Sequence, residues 1–142
     1  SILSIVDDSQ VKNLCGKKNL IETIQLMTDS KIILAIDGGM AHLAASLKKS
    51  LVTIFGPTNS HNVSPVDTYG LLISNQIECS PCYWSDNYYN CPYDRKCLNK
   101  INQDIIIESV LDVISGIRLE SNKINNCYIS KIPTYESMKL YL

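Results

Sequence analysis

The chain has no block of like charge from which to build an electrostatic surface. Its thirteen basic and fourteen acidic residues are interspersed, for a net charge of −1. A grip on nucleic acid needs a basic stripe, and a membrane-surface patch needs a polybasic cluster, so neither kind of partner is expected. No apolar run approaches the length of a transmembrane span, and the first residues, SILSIVDDSQ, place no basic segment ahead of an apolar one. A G-x-G-x-x-G following a first strand is also missing, which disfavours a dinucleotide oxidoreductase. What is present is a chain of 142 residues, 45% hydrophobic. That is the size of one domain with a real core, expected to be soluble and cytoplasmic.

The first half alternates strand and helix signals. Val11–Cys15 reads as a short extended run closed by Gly16. Asn19 followed three residues later by Glu22 predicts a capped helix start, with Ile21, Ile24 and Met27 on its apolar face and Asp29-Ser30 at its end. Ile32–Ile36 is continuously apolar and predicts a strand buried on both faces. Met40–Lys49 predicts a helix with Leu43, Ala44 and Leu47 inward and Lys48-Lys49 in the last turn, where cations suit the helix dipole. Leu51–Phe55 and Tyr69–Ser74 predict two more strands, and Asp104–Ile114 a further helix. This rhythm implies an α/β fold, a Rossmann-like parallel sheet with flanking helices and right-handed crossovers. Residues 1–117 form that domain, including a cysteine-rich stretch at 75–100. Residues 118–142 read as a polar tail, with a closing helix over Tyr135–Leu142.

The stretch DGGMAH, residues 37–42, follows the second predicted strand. Ligands of open α/β sheets sit at the carboxyl ends of strands, over helix N-termini. Gly38 and Gly39 lack Cβ atoms, so a ligand approaches the backbone closely, and the free amides of the next helix suit a phosphate. Asp37 would repel a phosphate, so it is read as a partner for hydroxyls or as a helix cap. His42, in the first helical turn, is placed to donate to a phosphate or sugar oxygen. The stretch from Thr58 to His61 (TNSH), after the next strand, is expected to line the same crevice. Each of these residues also has an ordinary structural reading, as turn, cap or surface loop. His61 is left without a role.

The run from Asn13 to Pro65 resembles the C-terminal half of the heptosyltransferase family, glycosyltransferase family nine. Three turns carry the resemblance: Leu14, Gly16 and Lys17; then Asp37, Gly38, Gly39, His42, Leu43 and Ala44; then Phe55, Gly56, Pro57 and Thr58. It extends over about residues 11–116. The resemblance implies part of the C-terminal domain of a GT-B glycosyltransferase that binds a nucleotide-diphospho-sugar donor such as ADP-heptose. Asp37 would contact sugar hydroxyls, while the amides of Gly38 and Gly39 with His42 would contact the diphosphate. The family's usual serine or threonine after the aspartate is Gly38 here, which removes a hydroxyl and keeps the amide. The family's catalytic base lies in an N-terminal domain, so no catalytic residue is assigned here and the chain alone is expected to transfer no sugar. The alternative is a non-catalytic Rossmann-like module that binds a protein partner.

Four of the six cysteines, Cys79, Cys82, Cys91 and Cys97, fall in the pattern C-x2-C-x8-C-x5-C. In a reducing compartment this spacing predicts a four-thiolate structural metal site, iron or zinc, with disulfides or packed free thiols as the alternatives. The segment resembles that of autotransporter heptosyltransferases. That likeness implies iron, a protein acceptor in place of the lipopolysaccharide core, and a homo-oligomer. Tyr83, Trp84, Tyr88, Tyr89 and Tyr93 are interleaved with the cysteines. They are read first as cover for a metal-stapled knuckle, and second as a contact for a partner or a sugar.

Overall fold

The computed structural model describes residues 11–75, 77–117, 122–124, 127–134 and 137. In chain order these form α1 (Leu20–Asp29), β1 (Ile33–Ile36), α2 (Gly39–Ser46), β2 (Leu51–Phe55), α3 (Ser60–Val63), β3 (Gly70–Asn75), α4 (Lys96–Asn99), α5 (Gln103–Ser115), β4 (Asn122–Ile124) and β5 (Cys127–Lys131). One sheet holds all five strands in the order β1-β2-β3-β5-β4. β1, β2 and β3 run parallel, as the alternating rhythm requires, whereas β5 pairs antiparallel to β3 and β4 antiparallel to β5. The sheet is therefore mixed. Residues 122–124 and 127–131 supply two of its strands, although their polar sequence reads as a tail. The helix expected over 135–142 lies outside the described residues, apart from Ser137.

Helices cover the sheet from both sides. The strand period of two sends Leu51 and Phe55 of β2 to one face, where they meet Met27, Ala41, Ala44 and Leu72. Val52 goes to the other, against Leu71, Ile73, Ile105 and Val113. Ala41, Ala44 and Ala45 are buried on α2, and their small side chains let that helix lie close to the strands. Each large side chain buried this way, such as Phe55 or Ile73 at 0% exposure, contributes about 2 kcal/mol. At Gly70 the neighbouring strand comes close: an added Cβ would collide with the carbonyl oxygen of Leu51.

The α1 start is built as its sequence predicts. The Asn19 side chain accepts from the Glu22 amide, and the Glu22 carboxylate accepts from the Asn19 amide. That backbone bond, with a second from Lys18 Nζ at 2.9 Å, holds the Glu22 carboxyl below its usual range.

Three expectations are corrected. β1 is not buried on both faces: Ile33 and Ala35 pack toward α2, while Leu34 and Ile36 are exposed. β1 is an edge strand of the sheet, and the side of it that carries Leu34 and Ile36 is left open. Val11–Cys15 forms no strand. Its end is a turn in which the Lys17 amide donates to the Leu14 carbonyl, with Gly16 at φ +69°. α2 ends at Ser46, so Lys48 and Lys49 lie beyond it, their ammonium groups donating to the carbonyls of Asp67 and Thr28.

Candidate functional site

The site forms where β1 and β2 end side by side. In their parallel register Ile36 lies opposite Ile54, and the Asp37 amide extends the ladder by donating to the Ile54 carbonyl at 2.9 Å. Asp37 is thus fixed at the carboxyl edge of the sheet. Beyond β2 the chain turns at Gly56-Pro57, and Thr58 reaches back to donate its hydroxyl hydrogen to Asp37 Oδ2 at 2.6 Å. This bond occupies one carboxylate oxygen and orients the other.

Gly38 then opens α2 as its N-cap, at φ +150° and ψ −175°, a conformation almost confined to glycine. A serine or threonine there would be strained, which accounts in physical terms for glycine at this position. The Gly38 carbonyl accepts from the Ala41 and His42 amides. The Gly39 and Met40 amides have no partner among the described residues, and no side chain caps the helix. A Cβ added at either glycine would find nothing within 4 Å. The approach to these amides is open, and the helix dipole favours negative charge there.

The cysteine-rich excursion is fastened onto the second turn. The amides of Cys82 and Tyr83 both donate to the Pro57 carbonyl, at 2.8 and 3.0 Å, and Ser80 Oγ donates to the Gly56 carbonyl at 2.6 Å. Leu98 of α4 lies against Gly56, where a Cβ would come within 2.7 Å of it. Asn75, at the end of β3, donates to the Lys96 carbonyl at 3.2 Å. The excursion thereby helps to line an open groove of roughly 1160 Å³, which Asp37, Gly38 and Thr58 share with Tyr83, Trp84 and Tyr89. Gly39 and His42 lie outside this lining, exposed on the first turn of α2. The structure thus brings Asp37, Gly38 and Thr58 together in the groove, with the open amides and His42 at its rim. His61 sits in α3, exposed, its ring 6.5 Å from that of Tyr128.

Asn59 lines the groove with Thr58, and Asn62 and Arg95, to which the sequence draws no attention, line it as well. For Arg95 the linking signal is purely spatial, because its place depends on how the excursion folds back. Asn59 has a local signature, since its side chain caps α3 by accepting from the His61 amide.

All four clustered cysteines are free thiols. Burial pushes the Cys97 thiol up, and the nearby sulfurs of Cys82, Cys79 and Cys91 push the same way. Burial likewise raises Cys82, followed by Cys79 and Cys91. The Arg95 amide donates to Cys91 Sγ at 3.3 Å. The donor chemistry suits a soft metal, but among the described residues no three metal-ligating side chains converge closely enough to hold an ion. Two of the five aromatic residues do not serve as cover: Trp84 is 94% exposed and Tyr89 80%. Among the described residues no helix is long and apolar enough to cross a membrane.

The sequence matches glycosyltransferase family 9 (heptosyltransferase) over residues 3–91. Lipooligosaccharide heptosyltransferase 2 of Campylobacter jejuni subsp. jejuni serotype O:2 is 29% identical over 112 residues, which cover 78% of this chain and 34% of that protein. Lipooligosaccharide heptosyltransferase 2 of Haemophilus influenzae is 31% identical over 61 residues, 43% of this chain and 18% of that protein. Lipopolysaccharide heptosyltransferase 2 of Escherichia coli K12 is 33% identical over 55 residues, 39% of this chain and 16% of that protein. The chain spans at most about a third of the length of these relatives. No solved structure matches it.

Proposed function

Because the chain belongs to glycosyltransferase family 9, the heptosyltransferases, we propose that it is the part of such an enzyme that binds the nucleotide-diphospho-sugar donor. The donor is ADP-heptose or a close analogue, and the acceptor is the lipopolysaccharide core or a protein. The observation that carries this reading is the pairing of an open helix start with a fixed carboxylate. Gly39 and Met40 present unpartnered amides, and next to them Asp37 is held by Thr58.

The chemistry follows from the charges. When a glycosyl group leaves a nucleoside diphosphate, the bond from the anomeric carbon to the phosphate oxygen breaks and negative charge grows on the diphosphate. Amide hydrogens at a helix start lower the energy of that charge, because they point at it before it forms. His42, exposed on the same turn, adds a donor to a phosphate oxygen. Asp37 repels the diphosphate and attracts hydroxyl groups, so it selects the sugar end of the donor and sets its direction. Titration calorimetry with ADP and ADP-heptose tests the reading. Binding of both, tighter for the sugar nucleotide, is expected; no heat from either at millimolar ligand overturns it.

We propose separately that Cys79, Cys82, Cys91 and Cys97 take up one structural iron or zinc ion. Support comes from their spacing, their reduced state and their place within one excursion anchored at both ends. Uptake requires the four sulfurs to close in from their present positions.

A further inference from the structure

Arg95 is the single cation among the described residues that line the groove, and Asp37 is the single carboxylate. The Arg95 guanidinium makes no hydrogen bond and no ion pair with any described residue. The backbone beneath it is firmly held all the same. The Arg95 amide donates to Cys91 Sγ at 3.3 Å, and the Arg95 carbonyl accepts from the Leu98 and Asn99 amides at 2.8 and 3.0 Å. The Asn99 side chain also donates to the Asp94 carbonyl at 2.7 Å. Within this frame Asp94 and Arg95 both stand at φ +49°, a left-handed conformation that residues with a Cβ adopt at a cost. The fold gives no reason for an arginine here: the position suits glycine, and the five donors of the side chain serve no neighbour.

We propose that Arg95 binds a phosphate group of the donor's diphosphate, a role that rests on the donor reading above. The balance of charge calls for such a group. The start of α2 offers a diphosphate only about half an elementary charge, and Asp37 in the same groove works against it. An unpaired guanidinium makes good the deficit, and its planar fork meets two phosphate oxygens at once. The uncharged parts of a ligand do not require it. Hydroxyl groups and base edges are served equally by Asn59 and Asn62, which line the same groove. A carboxylate would fit the fork as a phosphate does, so the test sets the two anions against each other.

The intact chain is titrated by calorimetry with ADP, pyrophosphate, adenosine and malonate, the last a small dicarboxylate. ADP and pyrophosphate should bind, and malonate far more weakly. Arg95→Ala should weaken ADP and pyrophosphate about tenfold, while adenosine, which has no phosphate, meets both proteins alike. Arg95→Lys keeps the charge without the fork and should lose less than Arg95→Ala. Arg95→Gly separates ligand from fold: its urea midpoint should equal or exceed that of Arg95→Ala, because glycine is at ease at φ +49°, yet its ADP affinity should fall as far. If ADP binds the wild type and Arg95→Ala equally, the role of Arg95 is overturned and the donor reading stands. If pyrophosphate binds through Arg95 and ADP does not bind, the donor reading fails and the phosphate site stands. No heat from either overturns both. Malonate binding as tight as that of pyrophosphate overturns the assignment to phosphate. So does failure of both Arg95→Gly and Arg95→Lys to fold, since the residue would then serve the structure.

Discussion

Thr58 Oγ1 lies 2.6 Å from Asp37 Oδ2, joining two turns that are twenty-one residues apart. The contact binds the ends of β1 and β2 into one unit and leaves Asp37 with a set direction. A carboxylate so held separates the two ends of a sugar nucleotide by charge alone.

Asp37→Asn removes the charge and keeps the shape. Hydrogen bonds from sugar hydroxyls to a carboxylate exceed those to an amide by about 1–2 kcal/mol, so ADP-heptose affinity should fall roughly tenfold. Affinity for ADP should hold or rise, because a repulsion is lost. Calorimetry with both ligands reads the two signs in one experiment, and equal losses for both ligands would refute the division of roles.

The two glycines answer differently to alanine. Gly38→Ala forces a Cβ onto φ +150° and should cost about 1–3 kcal/mol of stability in urea. Gly39→Ala meets no atom within 4 Å and lies in a helix, so stability should hold or rise slightly. Its methyl group, however, enters the face that the diphosphate approaches, and ADP affinity should drop.

Thr53 is fully buried, and its Oγ1 has no hydrogen-bond partner among the described residues. Replacing it with valine keeps the branched shape and removes the unpaired hydroxyl. Thr53→Val should stabilise the fold by about 1 kcal/mol, seen as a higher urea midpoint at unchanged slope.

Cys127 is buried beneath α5 with the core of that face, and burial raises its thiol above the ordinary value of 9.0. The folded chain therefore keeps this proton at pH values where the unfolded chain has begun to release it. Its contribution is intact below about pH 8 and is lost as pH rises through 9 and beyond. Urea midpoints should decline on the alkaline side, and less steeply for Cys127→Ala. Exposed Cys15 should be alkylated well before Cys127.

Elemental analysis of protein purified without added metal should return about one iron or zinc per chain, lost in Cys82→Ser. Trace metal only, with thiols fully titratable, would count against the four-cysteine site.

What was legible in the sequence was local. The Asn19–Glu22 capping box, the glycine start of α2 and the buried β2 each follow from neighbours within a few residues. Asn102 and Gly116 bound α5 in the same way. What was hidden depended on distant partners. Nothing in Ile32–Ile36 announces that β1 is an edge strand whose Leu34 and Ile36 stay exposed. The β4–β5 pair is carried by backbone bonds to β3, which a polar stretch can make as well as an apolar one. Asp37, Gly38 and Thr58 follow in the sequence as turn residues after two strands, whereas the rest of the groove's lining does not. Residues 79–98 reach it through the Gly56 and Pro57 carbonyls, and a carbonyl leaves no mark in the residue type.

The Pro57 oxygen receives two successive amides, Cys82 and Tyr83, so two bonds to one atom tie the excursion to the turn after β2. The groove is therefore shaped before anything enters it. Under the proposed function, an incoming molecule would meet a standing mould and little ordering entropy would be charged to its entry.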